Sequence, residues 1–286
     1  MLLFYLGYLY RKVVTNAVEI KSPKLAAYRL HFAYVLSKFF PRYRWQKHAN
    51  FNEIRTVEAK YFIRPNTFDA ICASPDYERP DIELTKALIR ERRDHGQSVL
   101  FIDVGANLGC YCLRIASAFR DWGGLSVIAC EPFPESCGLL VKNIQANGFS
   151  SKIDVLSAAL GDAPGEAALH LNDEDPGSNT LCPSEHASSA AVSVAVTRLD
   201  DLGVAWKKRT AADCVFLKLD CEGAEVSVLR GAEYFLSATP EVTIMVEDCL
   251  DSRVGQYLAE NRWDRFAKRT PYNSFWRKPS RDLRLS

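Results

Sequence analysis

From residue 98 onward, short apolar runs alternate with stretches whose apolar side chains recur every three to four positions. Residues 99–103, 125–130, 153–160, 215–219 and 242–246 have strand length, and 108–119, 134–147 and 224–236 have helical spacing. Strands separated by helices imply crossover connections and a mainly parallel sheet. Strands that are apolar at successive positions imply that helices cover both faces of that sheet. Residues 167–171 and 192–199 read as further β segments, and 262–266 with 274–277 as a closing pair of strands. Between the two middle segments, 173–193 is polar and serine-rich, the texture of a loop.

The chain before residue 98 reads differently. Residues 1 to about 50 have a rough helical period carried by Leu25, Ala26, Leu30, Ala33 and Tyr34, with Lys and Arg between, up to Pro41. Pro65, Pro75 and Pro80 punctuate the next stretch. Asp81 then stands where a helix N-cap is expected, before Ile82, Leu84, Ala87, Leu88 and Ile89, and the helix runs out at His95-Gly96. The expected organisation is a mostly helical, basic extension over 1–95 and an α/β domain over 96–286.

Charge refines this picture. Lys and Arg number 36 and Asp and Glu 35, giving a net charge of +1. A wholesale nucleic-acid binder would be far more basic, so no nucleic-acid partner is expected. The balance hides an asymmetry, because 12 basic residues face 3 acidic ones between Arg11 and Arg64. The apolar stretch 1–10 beside them is too short to span a bilayer, and no basic stretch precedes it as in a secretion leader. Residues 1–64 therefore have the ingredients of a peripheral membrane contact, or of a solvated helical surface packed on the rest. Nine cysteines without a C-x-x-C pair, several inside apolar runs, suggest buried thiols in a reducing, cytoplasmic compartment. The scattered histidines 31, 48, 95, 170 and 186 give no metal cluster, and no metal site is expected.

Candidate chemistry gathers where strands end. The first strand of the α/β region runs into Asp103-Val-Gly105-Ala-Asn107-Leu-Gly109, a glycine-punctuated turn before a helix. Ligands of open parallel sheets bind at this edge. Asn107 stands where a dinucleotide fingerprint needs its second glycine, the one that admits a pyrophosphate, so a nicotinamide or flavin cofactor is disfavoured. A ligand carrying an amino acid and a ribose fits better, with Asp103 toward its ammonium through water or backbone. Glu131, ending the second strand, can accept hydrogen bonds from ribose hydroxyls. Asp220, Glu222 and Glu225 cluster where the 215–219 strand meets its helix, and Glu247 ends the next strand. Acids in the first turn of a helix can be simple caps, but that does not account for Asp220 at the strand tip.

The pieces Asp103-Val-Gly-Ala-Asn107, Glu131-Pro132, Ala158-Ala-Leu-Gly161-Asp162, Leu217-Lys-Leu-Asp220-Cys-Glu222-Gly-Ala-Glu225, Leu229-Arg-Gly-Ala232 and Val246-Glu247, in that order, resemble the FkbM-type S-adenosylmethionine-dependent methyltransferases. The resemblance implies a Rossmann-like class I methyltransferase fold, a seven-stranded sheet whose last strand runs antiparallel. It implies S-adenosyl-L-methionine as cofactor and O-methylation of a hydroxyl on a sugar, glycan, lipid-linked or natural-product acceptor. Cofactor binding then falls to Asp103, Gly105, Asn107, Gly109, Glu131, Ser157, Ala158 and Asp220. The candidates for proton abstraction are Asp220, Glu222 and Glu247. A non-catalytic binding or scaffold protein on the same fold, and a Rossmann-type oxidoreductase, are the rival expectations.

Overall fold

The computed structural model describes residues 52–172, 175–182, 190–248 and 253–278. The expected helical extension over residues 1–50 lies outside them. The described chain opens with a short hairpin of β1 (Glu53–Arg55) and β2 (Lys60–Phe62), followed by α1 (Asp69–Cys72) and α2 (Arg79–Asp94). Then come β3 (Val99–Val104), α3 (Cys110–Ala118), β4 (Leu125–Cys130), α4 (Pro134–Ala146), β5 (Ile153–Leu156), β6 (Ala159–Leu160), β7 (Gly165–His170) and β8 (Ala191–Thr197). The chain continues through α5 (Gly203–Thr210), β9 (Cys214–Leu219), α6 (Glu225–Arg230), α7 (Glu233–Ala238), β10 (Glu241–Glu247), α8 (Arg253–Glu260), β11 (Asp264–Lys268) and β12 (Asn273–Arg277).

Seven strands form the main sheet in the order β11-β12-β10-β9-β3-β4-β5. β5, β4, β3, β9 and β10 run parallel, and β12 is antiparallel to both β10 and β11. This is the expected Rossmann-like class I arrangement. Successive residues of β3 feed two cores, as the two-residue period of a strand requires. Val99 and Phe101 pack with Ile82, Leu113, Leu140 and Phe275, while Leu100, Ile102 and Val104 pack on the other face with Leu229, Phe235 and Leu258. Phe101 therefore crowds Phe216 from the neighbouring strand, with ring centroids 5.6 Å apart.

Residues 52–94 share the first of these cores, through Ile54, Tyr61, Ile63, Ile82 and Ile89. The open edge of β2 is met by side chains, since Asn143 and Asn147 each accept from one β2 amide and donate to one β2 carbonyl. Along residues 52–64 the basic side chains are internally paired: Arg55 and Lys60 with Glu53, and Arg64 with Asp69.

Several boundaries differ from the pattern reading. The 153–160 run divides, with β5 in the main sheet while β6 pairs with β8 in a separate three-stranded sheet, β6-β8-β7. The 224–236 helix breaks at Gly231, where a Cβ would lie 1.8 Å from the carbonyl oxygen of Gly161. Asp81 lies inside the first turn of α2 rather than capping it; its buried carboxylate accepts hydrogen bonds from Thr270 and Asn273. No described helix is long and apolar enough to cross a membrane. The eight described cysteines are all free, and Cys249 lies outside the described residues.

Candidate active site

The carboxyl ends of β3, β4, β9 and β10 lie side by side. The loop after β3 passes so close to the end of β9 that a Cβ on Gly105 would sit 1.8 Å from the Asp220 carbonyl oxygen, and Gly105 has φ +74°. Glycine is thus required at 105 by chain packing. At Gly109, φ is +98° and a Cβ would crowd Leu140 and Leu113, so this glycine lets α3 start tight against α4. Asn107 also holds a left-handed φ, 46°. It is steadied from two sides. Its amide donates to Glu131 Oε2 at 2.8 Å, and its side-chain oxygen accepts from Arg64 Nη2 at 2.9 Å.

Glu131 stands just past β4, with Oε2 on the Asn107 amide and Oε1 on the Phe133 amide at 2.9 Å. Burial pushes its carboxyl up to about 7 against the pull of those two amides. Each oxygen keeps a second lone pair, so the group can still accept hydrogen bonds from a vicinal diol.

The charges beneath the site were only partly legible. Asp103 and Lys218 are cross-strand neighbours on β3 and β9. On this face they follow Phe101 and Phe216, so the apolar column ends in an ion pair. Lys218 Nζ lies 3.2 Å from Asp103 Oδ1 and 3.1 Å from Asp220 Oδ2, and 4.9 Å from the centre of the Tyr111 ring. Burial opposes the Lys218 charge, yet Asp103, Asp220 and Glu78 outweigh it and hold the ammonium firmly protonated. Asp103 is fully buried, and its other oxygen accepts from the Cys112 amide at 3.0 Å. It clamps the start of α3 and the lysine.

Asp220, Glu222 and Glu247 converge, with carboxylate oxygens within 4.8 Å of one another. That spacing lets carboxylates share protons or gather round a cation. Burial, then Asp220, pushes the Glu222 carboxyl up to about 8. Glu225 is not part of this group. Its carboxylate accepts from the Cys221 and Gly223 amides and closes the turn before α6.

Two joined compartments open at this edge. A small one of about 50 Å³ is lined by Glu131, Ala158, Leu160 and Cys221, with residues 176–181 across it as a strap. A larger cleft of about 600 Å³ is lined by Tyr77, Glu78, Tyr111, Lys218, Glu247 and Tyr272. Gly105, Asn107, Gly177, Asp220 and Glu222 border both. Of the sequence-selected residues, Ser157 is exposed and outside the lining of either compartment. Gly109 supports the loop from behind. Glu78, Tyr111, Arg64 and Lys218 were not selected. A lone lysine in the apolar run of β9, two residues before Asp220, was a readable signal for the last.

Three of these carboxyls, Glu78, Glu131 and Glu222, have values raised to about 7, 7 and 8 from an ordinary 4.5. The folded protein keeps protons there that the unfolded chain has released. Stability of the ligand-free protein is therefore expected to fall as pH rises through that window. Thermal melts at mildly acidic and mildly alkaline pH check this. A midpoint that stays level or rises with pH contradicts it.

The family model described as the methyltransferase FkbM domain matches residues 103–267, over half of the chain. Methyltransferase sdnD of Sordaria araneosa is 26% identical over 157 residues, covering 46% of this chain and 60% of that protein. The chain thus matches about three-fifths of that relative's length. Among solved structures, the tRNA (uracil-54, C5)-methyltransferase of Pyrococcus abyssi in complex with S-adenosyl-L-homocysteine is 10% identical at a TM-score of 0.43, over 80% of this chain and 44% of that one. Precorrin-6y C5,15-methyltransferase of Geobacter metallireducens is 13% identical at a TM-score of 0.40, over 69% and 87%. Neither likeness bears on what this chain acts on. The matched segment carries both the β3 loop and the acids at the ends of β4, β9 and β10, and the chain belongs to the FkbM methyltransferase family.

Proposed function

We propose that the protein transfers a methyl group from S-adenosyl-L-methionine to a hydroxyl of a sugar, glycan, lipid-linked or natural-product acceptor. The observation that carries this reading is Glu131 beside the loop from Gly105 to Gly109, at adjacent strand ends, opening onto a separate acid-rich cleft. The residues suit the cofactor chemically. Glu131 has lone pairs left for a ribose diol, and the acids near Asp220 suit a ligand carrying an ammonium and a sulfonium.

When bound, the cofactor supplies an activated methyl group. The protein's part is to place the acceptor in line with it and to keep water out. Asp220 borders both compartments and is held by Lys218, so it fits the role of orienting group at their junction. Glu222 and Glu247 stand with it as acid–base candidates. Asp103 and Asn107 hold the loop, and Ala158 lines the small compartment with Glu131.

Replacing Glu131 with alanine is expected to weaken cofactor binding about tenfold or more, since hydrogen bonds to a charged group contribute about 1.5–3 kcal/mol each. Calorimetry with S-adenosylmethionine, and with NADH as the comparison, tests both the reading and the residue. Unchanged affinity in a folded variant removes Glu131 from the role. Binding of NADH in place of S-adenosylmethionine removes the reading itself.

A further inference from the structure

Glu78 lies outside the family-matched segment, yet its side chain forms part of the cleft wall beside Asp220 and Lys218. It occupies the residue before α2 with a left-handed φ of 43°. A non-glycine residue held there carries strain, and such strain concentrates at functional sites. Two donors fix the carboxylate. Tyr111 donates its phenolic O–H to Oε2, and Asn273 Nδ2 donates to the same oxygen at 3.0 Å. Among the described residues no hydrogen bond falls on Oε1, so one oxygen is anchored and the other is available to a ligand in the cleft.

In-line displacement puts the acceptor oxygen on the far side of the methyl carbon from the sulfur. A base that serves it belongs on a wall of the acceptor cleft away from the cofactor compartment. Asp220 and Glu222 border both compartments, whereas Glu78 and Glu247 border the large cleft and not the small one; Glu247 is gathered within 4.8 Å of Asp220 and Glu222, while Glu78 stands apart from that cluster. Asp220 is also ion-paired to Lys218 at 3.1 Å, so one of its oxygens is already engaged. Asp76, another acid of this wall, pairs with Arg79 at 3.6 Å.

We propose that Glu78 is the general base of the transfer, with Tyr111 and Asn273 holding it in place. This rests on the methyl-transfer reading above. As the acceptor O–H gives its proton to Glu78 Oε1, the oxygen's electron pair forms the bond to the methyl carbon. The carbon–sulfur bond breaks with its electrons going to sulfur, which becomes a neutral thioether. The protonated Glu78 then releases its proton to water. Facing the carboxyl are Asp220 and Lys218 from the end of β9, Tyr111 from α3, Tyr77 and Asp81 from its own stretch, and the neutral Asn273 from β12. Burial and then Asp220 push Glu78 up to about 7, against Tyr111, Lys218 and Asn273, which suits a base working near neutral pH.

The test uses the full chain, Glu78→Gln and Glu78→Asp. Calorimetry with S-adenosylhomocysteine comes first. If the wild type fails to bind it, the methyl-transfer reading fails, and this inference with it. With binding in hand, carbon-13 NMR of labelled glutamate carboxyls should show, among the resonances titrating near neutrality, one that vanishes in Glu78→Gln, while S-adenosylhomocysteine affinity stays within about threefold of wild type. With radiolabelled methyl donor and glycerol as a simple polyol acceptor, ether formation should fall about a hundredfold in Glu78→Gln, recover in part in Glu78→Asp, and lose its acidic limb in Glu78→Gln. A Glu78 carboxyl that titrates in the ordinary glutamate range overturns the proposal. So does a Glu78→Gln protein with wild-type turnover and pH profile. Either outcome, with S-adenosylhomocysteine still bound, leaves the methyl-transfer reading standing.

Discussion

Asparagine in place of Asp220 is expected to lower turnover about a hundredfold or more while changing cofactor affinity far less. The substitution keeps the shape and removes the charge at the junction of the two compartments. It also takes one of two carboxylates from Lys218, whose ammonium then depends on Asp103 at 3.2 Å. An asparagine amide cannot orient a hydroxyl or an ammonium as a carboxylate does. Release of S-adenosylhomocysteine follows the rate, and calorimetry follows the affinity. A variant as active as the wild type excludes Asp220 both as base and as essential orienting group. A variant that loses affinity and rate together places Asp220 on the cofactor rather than on the acceptor.

Alanine at Gly105 is expected to be the most damaging small substitution in the site. Its methyl group would lie 1.8 Å from the Asp220 carbonyl oxygen, which is backbone and cannot swing aside, and the residue would keep φ +74°. A left-handed non-glycine residue costs about 1–3 kcal/mol, and overpacking adds about as much again. We expect a loss of about 3 kcal/mol or more in denaturant unfolding, together with weaker cofactor binding as the loop lifts from β9. A loss below about 1 kcal/mol would show that the loop can move without cost, and that its contact with β9 does not hold the site together.

The sheet was legible because its strands are buried on both sides, so β3, β4, β9 and β10 stand out as apolar runs, and the acids that end them fall at one edge by topology. Where burial was partial, the pattern faded. In α5, Ala205 is the buried residue beside the basic Lys207, Lys208 and Arg209, and in α8 the buried residues are Val254 and Leu258. α5 offers no apolar stripe to read, and in α8 the stripe of Val254, Tyr257 and Leu258 spans a single turn of an eight-residue helix. The start of α2 had a usable signal, since Pro80 in a first turn places the helix start before Asp81. Glu78 and Arg64 were beyond reach for a different reason. Each acts on residues far along the chain, Glu78 on Tyr111 and Asn273, Arg64 on Asn107 and Ser136, and no local period encodes such partners.

Arg64 ties two parts of the molecule into one thermodynamic unit. Its buried guanidinium holds Asp69 at the start of α1, Ser136 in α4, and Asn107 in the β3 loop. Whatever steadies Asn107 from the ligand side also steadies Arg64, and through it the chain around α1 and β2. Ligand binding stabilises the states that can bind and suppresses the openings that cannot. Backbone amides near Tyr61 and Ile63 touch neither the loop nor Glu131, yet they share that fate. Their hydrogen exchange reports occupancy of a site to which they contribute no atom.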